Sequence, residues 1–317
     1  MREGRQAELL RYEIEALLAH LPKTVGLYDL VKEPLEKASQ GLVAGSAHDR
    51  PWPLLPLIVC QAISGHYKQA LPAAAALMLL MAAGDVFDDI EDADSSESLS
   101  ARYGSAVATN VATTLLILAE RAITRLEGRG VEDSVIVRVI DMVNSFYTTA
   151  CAGQHLDLSL TSKAAISEDI YFTVIGMKSA STVECACHVG ALLANANQES
   201  VDIFAAFGHN LGMASQIAND IQGITRGSDI MKHKITLPII YALTQADGEA
   251  HNQLESTFVK QSGPIPDSMQ IKELLFRTGA IHYAMVKIEL YKQRALDFLS
   301  EAEGAGASVE RLKSFLK

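Results

Sequence analysis

The stretch Leu71-Pro-Ala-Ala-Ala-Ala-Leu-Met-Leu-Leu-Met-Ala-Ala-Gly-Asp-Val-Phe-Asp-Asp-Ile-Glu-Asp92 runs from an Ala-rich apolar half into a cluster of acids. Strong helix formers over this length predict one helix. Its apolar run, residues 70–83, spans 14 residues. A transmembrane helix needs roughly 20, so a buried core helix is expected. On that helix Asp85, Asp88, Asp89 and Asp92 fall at i, i+3, i+4 and i+7 and share one face. Each like-charged i,i+4 pair costs about 0.2–0.5 kcal/mol. The acids also crowd the helix end where the macrodipole disfavours negative charge. No Lys or Arg stands between Gln69 and Arg102 to offset them. A divalent cation would, and hard oxygen donors at this spacing suit Mg2+. The alternative is an acidic helix end fraying into a loop.

Outward from this segment the helical period continues. Helices are expected over residues 7–20, 53–64, 71–92, 106–126, 132–150, 167–196, 198–224, 234–244, 249–258, 267–278 and 279–303. Pro- and Gly-rich breakers separate several of them. The charged segment 226–234 is expected to be an exposed, mobile loop. No segment alternates as a strand. The economical reading is a single all-α domain over residues 1–317.

Composition agrees. Of 317 residues, 49% are hydrophobic, enough for a large core, and only 6% are aromatic, which disfavours an all-β chain. Lys and Arg number 27 against 38 Asp and Glu, a net charge of −11 that makes nucleic acid and anionic membranes poor partners. Four cysteines form no C-x-x-C pair, so no disulfide framework, zinc ribbon or thioredoxin-type motif is expected. The N-terminus shows no signal-peptide pattern, and a cytoplasmic location is expected.

A second polar constellation reads Gln216-Ile-Ala-Asn-Asp-Ile-Gln-Gly-Ile-Thr-Arg-Gly-Ser-Asp229, followed by Lys232-His-Lys-Ile-Thr-Leu-Pro238. Asn219, Asp220 and Asp229 are oxygen donors, and Lys234 is a nearby cation. Carboxylates plus lysines fit a metal-bridged polyphosphate. A solvated helix end before a basic turn fits equally well. Lys178 stands in an apolar run; it either snorkels outward or meets an anion.

Taken together, these segments resemble the trans-isoprenyl diphosphate synthase (polyprenyl synthetase) family, in matching order over residues 50–302. D-D-x-x-D is met by Asp88, Asp89 and Asp92, and G-Q-x-x-D by Gly153, Gln154 and Asp157. K-T is approximated by Lys178-Ser179, and F-Q-x-x-D-D-x-x-D by Ser215, Gln216, Asn219, Asp220 and Gly223. D-x-x-x-x-K-x-T-L-P is met by Asp229, Lys234, Thr236, Leu237 and Pro238. The resemblance implies an isoprenoid-synthase bundle of ten or more helices around a deep cavity, with the two Asp-rich segments across its mouth. It implies Mg2+ held by Asp88, Asp89, Asp92 and Asp220, with Asn219 and Asp229 as further metal candidates. It implies an allylic prenyl diphosphate held by Lys178, Lys234, Gln154 and Gln216, and a homodimer formed through the aliphatic stripe 107–118. In condensing relatives the residues four and five before the first Asp set product length. Here these are Gly84 and Ala83, small enough for a C15 or longer tail.

The departures concern the second substrate. Condensing members bind isopentenyl diphosphate through G-G-K-R-x-R-P. Ala47-His-Asp-Arg-Pro-Trp-Pro53 stands here, keeping Arg50 but placing Asp49 and Trp52 at the Lys and second Arg positions. At an effective dielectric near 20, one such charge contact is worth roughly 4 kcal/mol at 4 Å. The Arg pair after the first motif is also absent, with a lone Arg102 beyond. This pattern is most similar to the ComQ-type branch, which prenylates a Trp side chain in a peptide. The expectation is therefore a prenyltransferase whose acceptor, a peptide or a small molecule, is not isopentenyl diphosphate. The alternatives are a chain-elongating synthase, a class I terpene cyclase and a non-catalytic prenyl-diphosphate-binding subunit.

Overall fold

The computed structural model describes residues 2–40, 42, 52–92, 96–160, 166–261 and 267–317. Its α-helices are α1 (Arg2–Leu18), α2 (Leu27–Gln40), α3 (Leu55–Ser64), α4 (Leu71–Asp92), α5 (Leu99–Tyr103), α6 (Ser105–Thr124), α7 (Asp133–Ser159) and α8 (Glu168–Ile175). They continue with α9 (Ser181–Leu193), α10 (Gln198–Arg226), α11 (Ser228–Met231), α12 (Leu237–Gln245), α13 (Gly248–Leu254), α14 (Ser268–Arg277), α15 (Ala280–Gly304) and α16 (Glu310–Lys313). No strand occurs among the described residues. The all-α expectation holds.

The chain divides into two compact units. The first comprises Met1–Val143, Ala186–Asp202 and Glu303–Leu312, and α4 is its axis. Every residue of α4 from Leu71 to Leu80 is buried. The helix packs most extensively on α6, and also on α1, α2, α3 and α5. Ala108, Val111, Ala112, Leu115, Leu118 and Ala119 form the buried stripe of α6 at three- and four-residue spacing. Alanines on both helices let the axes approach closely. In the same unit Gly190 of α9 lies on α3, where a Cβ would meet the Pro56 carbonyl oxygen at 2.8 Å.

The second unit comprises Asn144–Cys185, Ile203–Ala302 and Lys313–Lys317. Tyr171, Ile175, Met213, Ile217, Leu237 and Ile240 share one of its core clusters, which joins α8, α10 and α12. A second cluster gathers Ile224, Ile230, Leu254, Phe258, Ile271 and Leu275.

Several elements differ from the sequence reading. Residues 167–196 are not one helix: α8 ends at Ile175, a π-helical turn covers Gly176–Ala180, and α9 resumes at Ser181. The segment 226–234 is not a plain loop, because it contains α11. Helices α2, α5 and α16 lie outside the expected set. In α2, Pro34 lies inside the helix and charged side chains surround the buried Val31 and Leu35, which obscures the stripe. The helix carrying the apolar run 70–83 is longer than that run. Lys68–Asp92, Ser105–Thr124 and Asp133–Ser159 are each long and apolar enough to cross a membrane by length and composition. The apolar window of the first is 78% buried within the protein, as expected of a core helix, whereas that of the third is only 11% buried.

Candidate active site

In the first unit the acids lie on the last two turns of α4. Asp88 and Asp89 are half-buried and Asp92 is exposed. The last turn of α4 contains no basic residue. Water reaches Asp85, yet the surrounding protein pushes its carboxyl up to about 6, chiefly by desolvation and further by Asp88 and Asp89. Lys37 opposes the shift. Burial is thus the main reason this carboxyl resists ionisation, and the neighbouring acids add to it. Of the pair expected to set tail length, Ala83 is fully buried. Gly84 is exposed, and nothing lies within 4 Å of where its Cβ would be. Arg102 pairs with Glu33 and lies 5.1 Å over the Tyr103 ring. Arg50 and Asp49 lie outside the described residues.

In the second unit the π-turn presents Lys178. Two glycines hold that turn. A Cβ on Gly153 of α7 would lie 2.5 Å from the Lys178 backbone nitrogen and 2.7 Å from Met177 Cβ. A Cβ on Gly212 of α10 would lie 2.7 Å from Ala180 Cα. Backbone packs directly on backbone at both places, and this is the physical reason for glycine there. Lys178 is half-buried and donates to Asp157 Oδ2 at 3.3 Å. Gly153, Asp157 and Lys178 thus come together, with Gln154 half-buried beside Gly153 on α7. π-turns inside helices recur at functional positions.

Toward the end of α10, Asp220 is 3% exposed. Tyr171 of α8 donates its hydroxyl to Asp220 Oδ2 at 2.6 Å, and Gln216 donates Nε2 to Oδ1 at 2.9 Å. Burial raises the Asp220 carboxyl above its ordinary value, and the charge of Asp229 adds to the rise. Lys234, Tyr171 and Gln216 pull it back. Gln216, Asp220, Asp229 and Lys234 therefore form one electrostatic group, and Asn219 is exposed on the neighbouring turn position. Burial also raises the Tyr171 hydroxyl well above its ordinary value, so it remains a donor. Sequence reasoning missed Tyr171; its only signal was a hydroxyl two helical turns before Lys178 in an apolar run.

Among the described residues no three His, Cys, Asp or Glu side chains form a ready-made cage for a metal. Mg2+ does not need one, because one or two carboxylates plus substrate phosphate oxygens suffice. The donors here are hard oxygens. Two residues beyond Lys234, Thr236 is 1% exposed and its Oγ1 has no hydrogen-bond partner. The residues fit a magnesium diphosphate.

Residues 32–275 match the polyprenyl synthetase family. The chain belongs to that family. Its relatives include the geranylgeranyl diphosphate synthase of Methanosarcina mazei, 29% identical over 224 residues, covering 66% of this chain and 68% of the relative. They also include the tryptophan prenyltransferase ComQ of Bacillus subtilis subsp. natto, 28% identical over 215 residues, covering 67% of this chain and 64% of ComQ. Among solved structures, a geranylgeranyl pyrophosphate synthase from Corynebacterium glutamicum, complexed with isoprenyl diphosphate and magnesium, superposes with a TM-score of 0.78. It is 22% identical and the match covers 99% of this chain and 96% of that one, which shows a shared polyprenyl synthetase fold. The chain is a prenyltransferase, like others of the polyprenyl synthetase family.

Proposed function

We propose that this chain is a Mg2+-dependent prenyltransferase that ionises an allylic prenyl diphosphate and extends it with isopentenyl diphosphate, in the manner of a geranylgeranyl-type synthase. The observation that carries the first half is the group of Gln216, Asp220, Asp229 and Lys234 around the end of α10. The relatives named as geranylgeranyl diphosphate synthases support the second half.

When bound, Mg2+ neutralises charge on the leaving diphosphate and so lowers the barrier to breaking the allylic C–O bond. The protein's own part follows from its residues. Asp88, Asp89 and Asp92 on α4, and Asp220 with Asn219 and Asp229, supply the carboxylate and amide oxygens. Lys178, fixed by the glycine-clamped π-turn, and Lys234 supply positive charge to the diphosphate. Gln154 and Gln216 orient neighbouring groups. Small residues at Ala83 and Gly84 support a product of C15 or longer. Helices α7, α9, α10, α15 and α16 contribute residues to both compact units, which supports treating the chain as one domain.

A second reading gives the prenyl group to a different acceptor, a peptide or small molecule. Two observations favour it. Asp49 and Trp52 replace cationic positions expected to bind isopentenyl diphosphate. Arg102, the nearest basic residue after the first acid segment, is already engaged by Glu33. The test is incubation with radiolabelled geranyl, farnesyl and geranylgeranyl diphosphates and Mg2+, with and without isopentenyl diphosphate. Longer diphosphates formed only with isopentenyl diphosphate support the first reading. Diphosphate release without elongation supports the second, and no turnover of any allylic substrate refutes both.

We further propose a homodimer. Val107, Leu116 and Ile117 of α6 and Val137 of α7 are exposed apolar side chains within one unit. An uncovered apolar surface of this kind suits a second copy of the same chain.

A further inference from the structure

The π-turn at Gly176–Ala180 carries Lys178 at its centre. Such turns are rare, so neighbouring groups must favour this one. Part of the support comes from the segment itself. Ser181 Oγ donates to the Met177 carbonyl at 2.6 Å, and Thr182 Oγ1 donates to the Ser179 carbonyl at 2.8 Å. Gly153 and Gly212 then admit α7 and α10 directly against the turn's backbone.

One further side chain bridges the two flanks of the turn. His209 stands three helical turns before Asp220, on the same stripe of α10. Its Cε1 lies 3.9 Å from where a Cβ on Gly176 would be, at the start of the π-turn. Met213 Sδ reaches the same place at 3.8 Å. On the far side, His209 Nδ1 lies 2.9 Å from Oε2 of Glu184, in the first turn of α9. The imidazole N–H donates and the carboxylate accepts. Both side chains are half-buried, and hydrogen bonds to an ionised group are roughly twice as strong as neutral ones. Glu184 follows Lys178 by less than two helical turns of chain. A loose carboxylate there would compete for the lysine and repel an anion. Its bond to His209 ties it to α10 instead.

We propose that His209 is a positioning residue for Lys178, on the reading above that Lys178 holds the diphosphate. By packing on Gly176 and holding Glu184, the imidazole clasps the π-turn from both flanks and fixes the place of the ammonium group. It touches no substrate and acts through the turn alone.

The experiment is calorimetric titration of the full chain with inorganic pyrophosphate at fixed Mg2+, arranged as a double-mutant cycle. His209→Leu keeps bulk beside Gly176 and removes the bond to Glu184. It weakens pyrophosphate binding by about tenfold, as expected when a binding group is displaced by a fraction of an ångström. His209→Asn places an amide nitrogen where Nδ1 stood and restores most of the affinity. In the Lys178→Ala background His209→Leu costs less than about twofold more, because the group through which it acts is gone. Unfolding midpoints identify a variant that does not fold. If His209→Leu is such a variant, Glu184→Leu removes the same bond from the other side and is read in the same cycle. Wild-type affinity in His209→Leu overturns the inference alone. So does a folded His209→Asn as weak as His209→Leu. A full tenfold loss that persists in the Lys178→Ala background also overturns it, since a general structural role acts regardless of the lysine. Wild-type protein that binds no pyrophosphate, or Lys178→Ala protein that binds it as well as wild type, sinks the underlying reading instead.

Discussion

Tyr171 and Asp220 are 49 residues apart in sequence and share a buried 2.6 Å hydrogen bond. The phenol is a donor at every accessible pH, since burial and the neighbouring carboxylate raise it far above its ordinary value. It turns one oxygen of Asp220 away from any other partner. Tyr171→Phe leaves that buried oxygen short of a donor, which costs about 1–3 kcal/mol. Urea unfolding of the metal-free protein should show a loss of that size. Titration with farnesyl thiodiphosphate and Mg2+ should also show weaker binding, because Asp220 can rotate. An unchanged unfolding midpoint would contradict the bond's structural role.

Gly153 is where α7 meets the π-turn that carries Lys178. A methyl group at 153 would lie 2.5 Å from the Lys178 backbone nitrogen, closer than any real contact of that kind. One of the two segments must shift. Gly153→Ala therefore lowers stability by about 1–3 kcal/mol, despite alanine's better helix propensity. It also moves Lys178, so affinity for inorganic pyrophosphate falls in the same variant. Lys178→Ala should lower pyrophosphate affinity without the stability loss. Equal stability of Gly153→Ala and wild type would show that the close approach is not real.

How much of this was legible follows from where each signal lives. Helices α4 and α10 could be read because their apolar spacing and their acids are both local patterns. The carboxylate face of α4 was visible for the same reason, since i, i+3, i+4 and i+7 need only a helix. The π-turn at Gly176–Ala180 leaves no compositional mark, because it adds one residue to a turn without changing residue type. Gly223 read as a lost acid, and only the fold shows that a side chain there would overlap the Asp229 carboxylate. Tyr171 was silent because its partner lies on a distant helix. Pairings between elements, rather than the elements themselves, were hidden.

The exposed aliphatic side chains on α6 and α7 make a separate prediction. Ile117 is 64% exposed and Val137 equally so. If a second copy covers them, Ile117→Arg places a charge in an apolar contact and forces desolvation without a partner. Light scattering coupled to size exclusion should report a dimer for wild type and a monomer for the variant at micromolar concentration. The monomer should retain its far-ultraviolet circular dichroism, since Ile117 is not part of the folded chain's own core. A wild-type monomer would refute the dimer.

Asp85 gives the chain a pH signature of its own. Its carboxyl stands at about 6 in the folded protein, against an ordinary value of 3.8. A raised carboxyl means the folded state binds this proton more tightly than the unfolded chain does. Between those two values the folded state holds more protons, so stability falls as pH rises through the window. Above about 6 the cost is fully present, and below about 4 it vanishes. Asp85→Asn keeps the shape and removes the ionisation. In metal-free buffer the variant should be more stable than wild type at pH 8 and equal to it at pH 3.5, with the difference growing between. Urea midpoints measured across that range test the sign. A variant less stable than wild type at pH 8 would show instead that Lys37 and Asp85 form a net favourable pair. Mg2+ should shrink the difference, because a cation on this face favours the charged carboxylate and lowers its pKa toward the ordinary value.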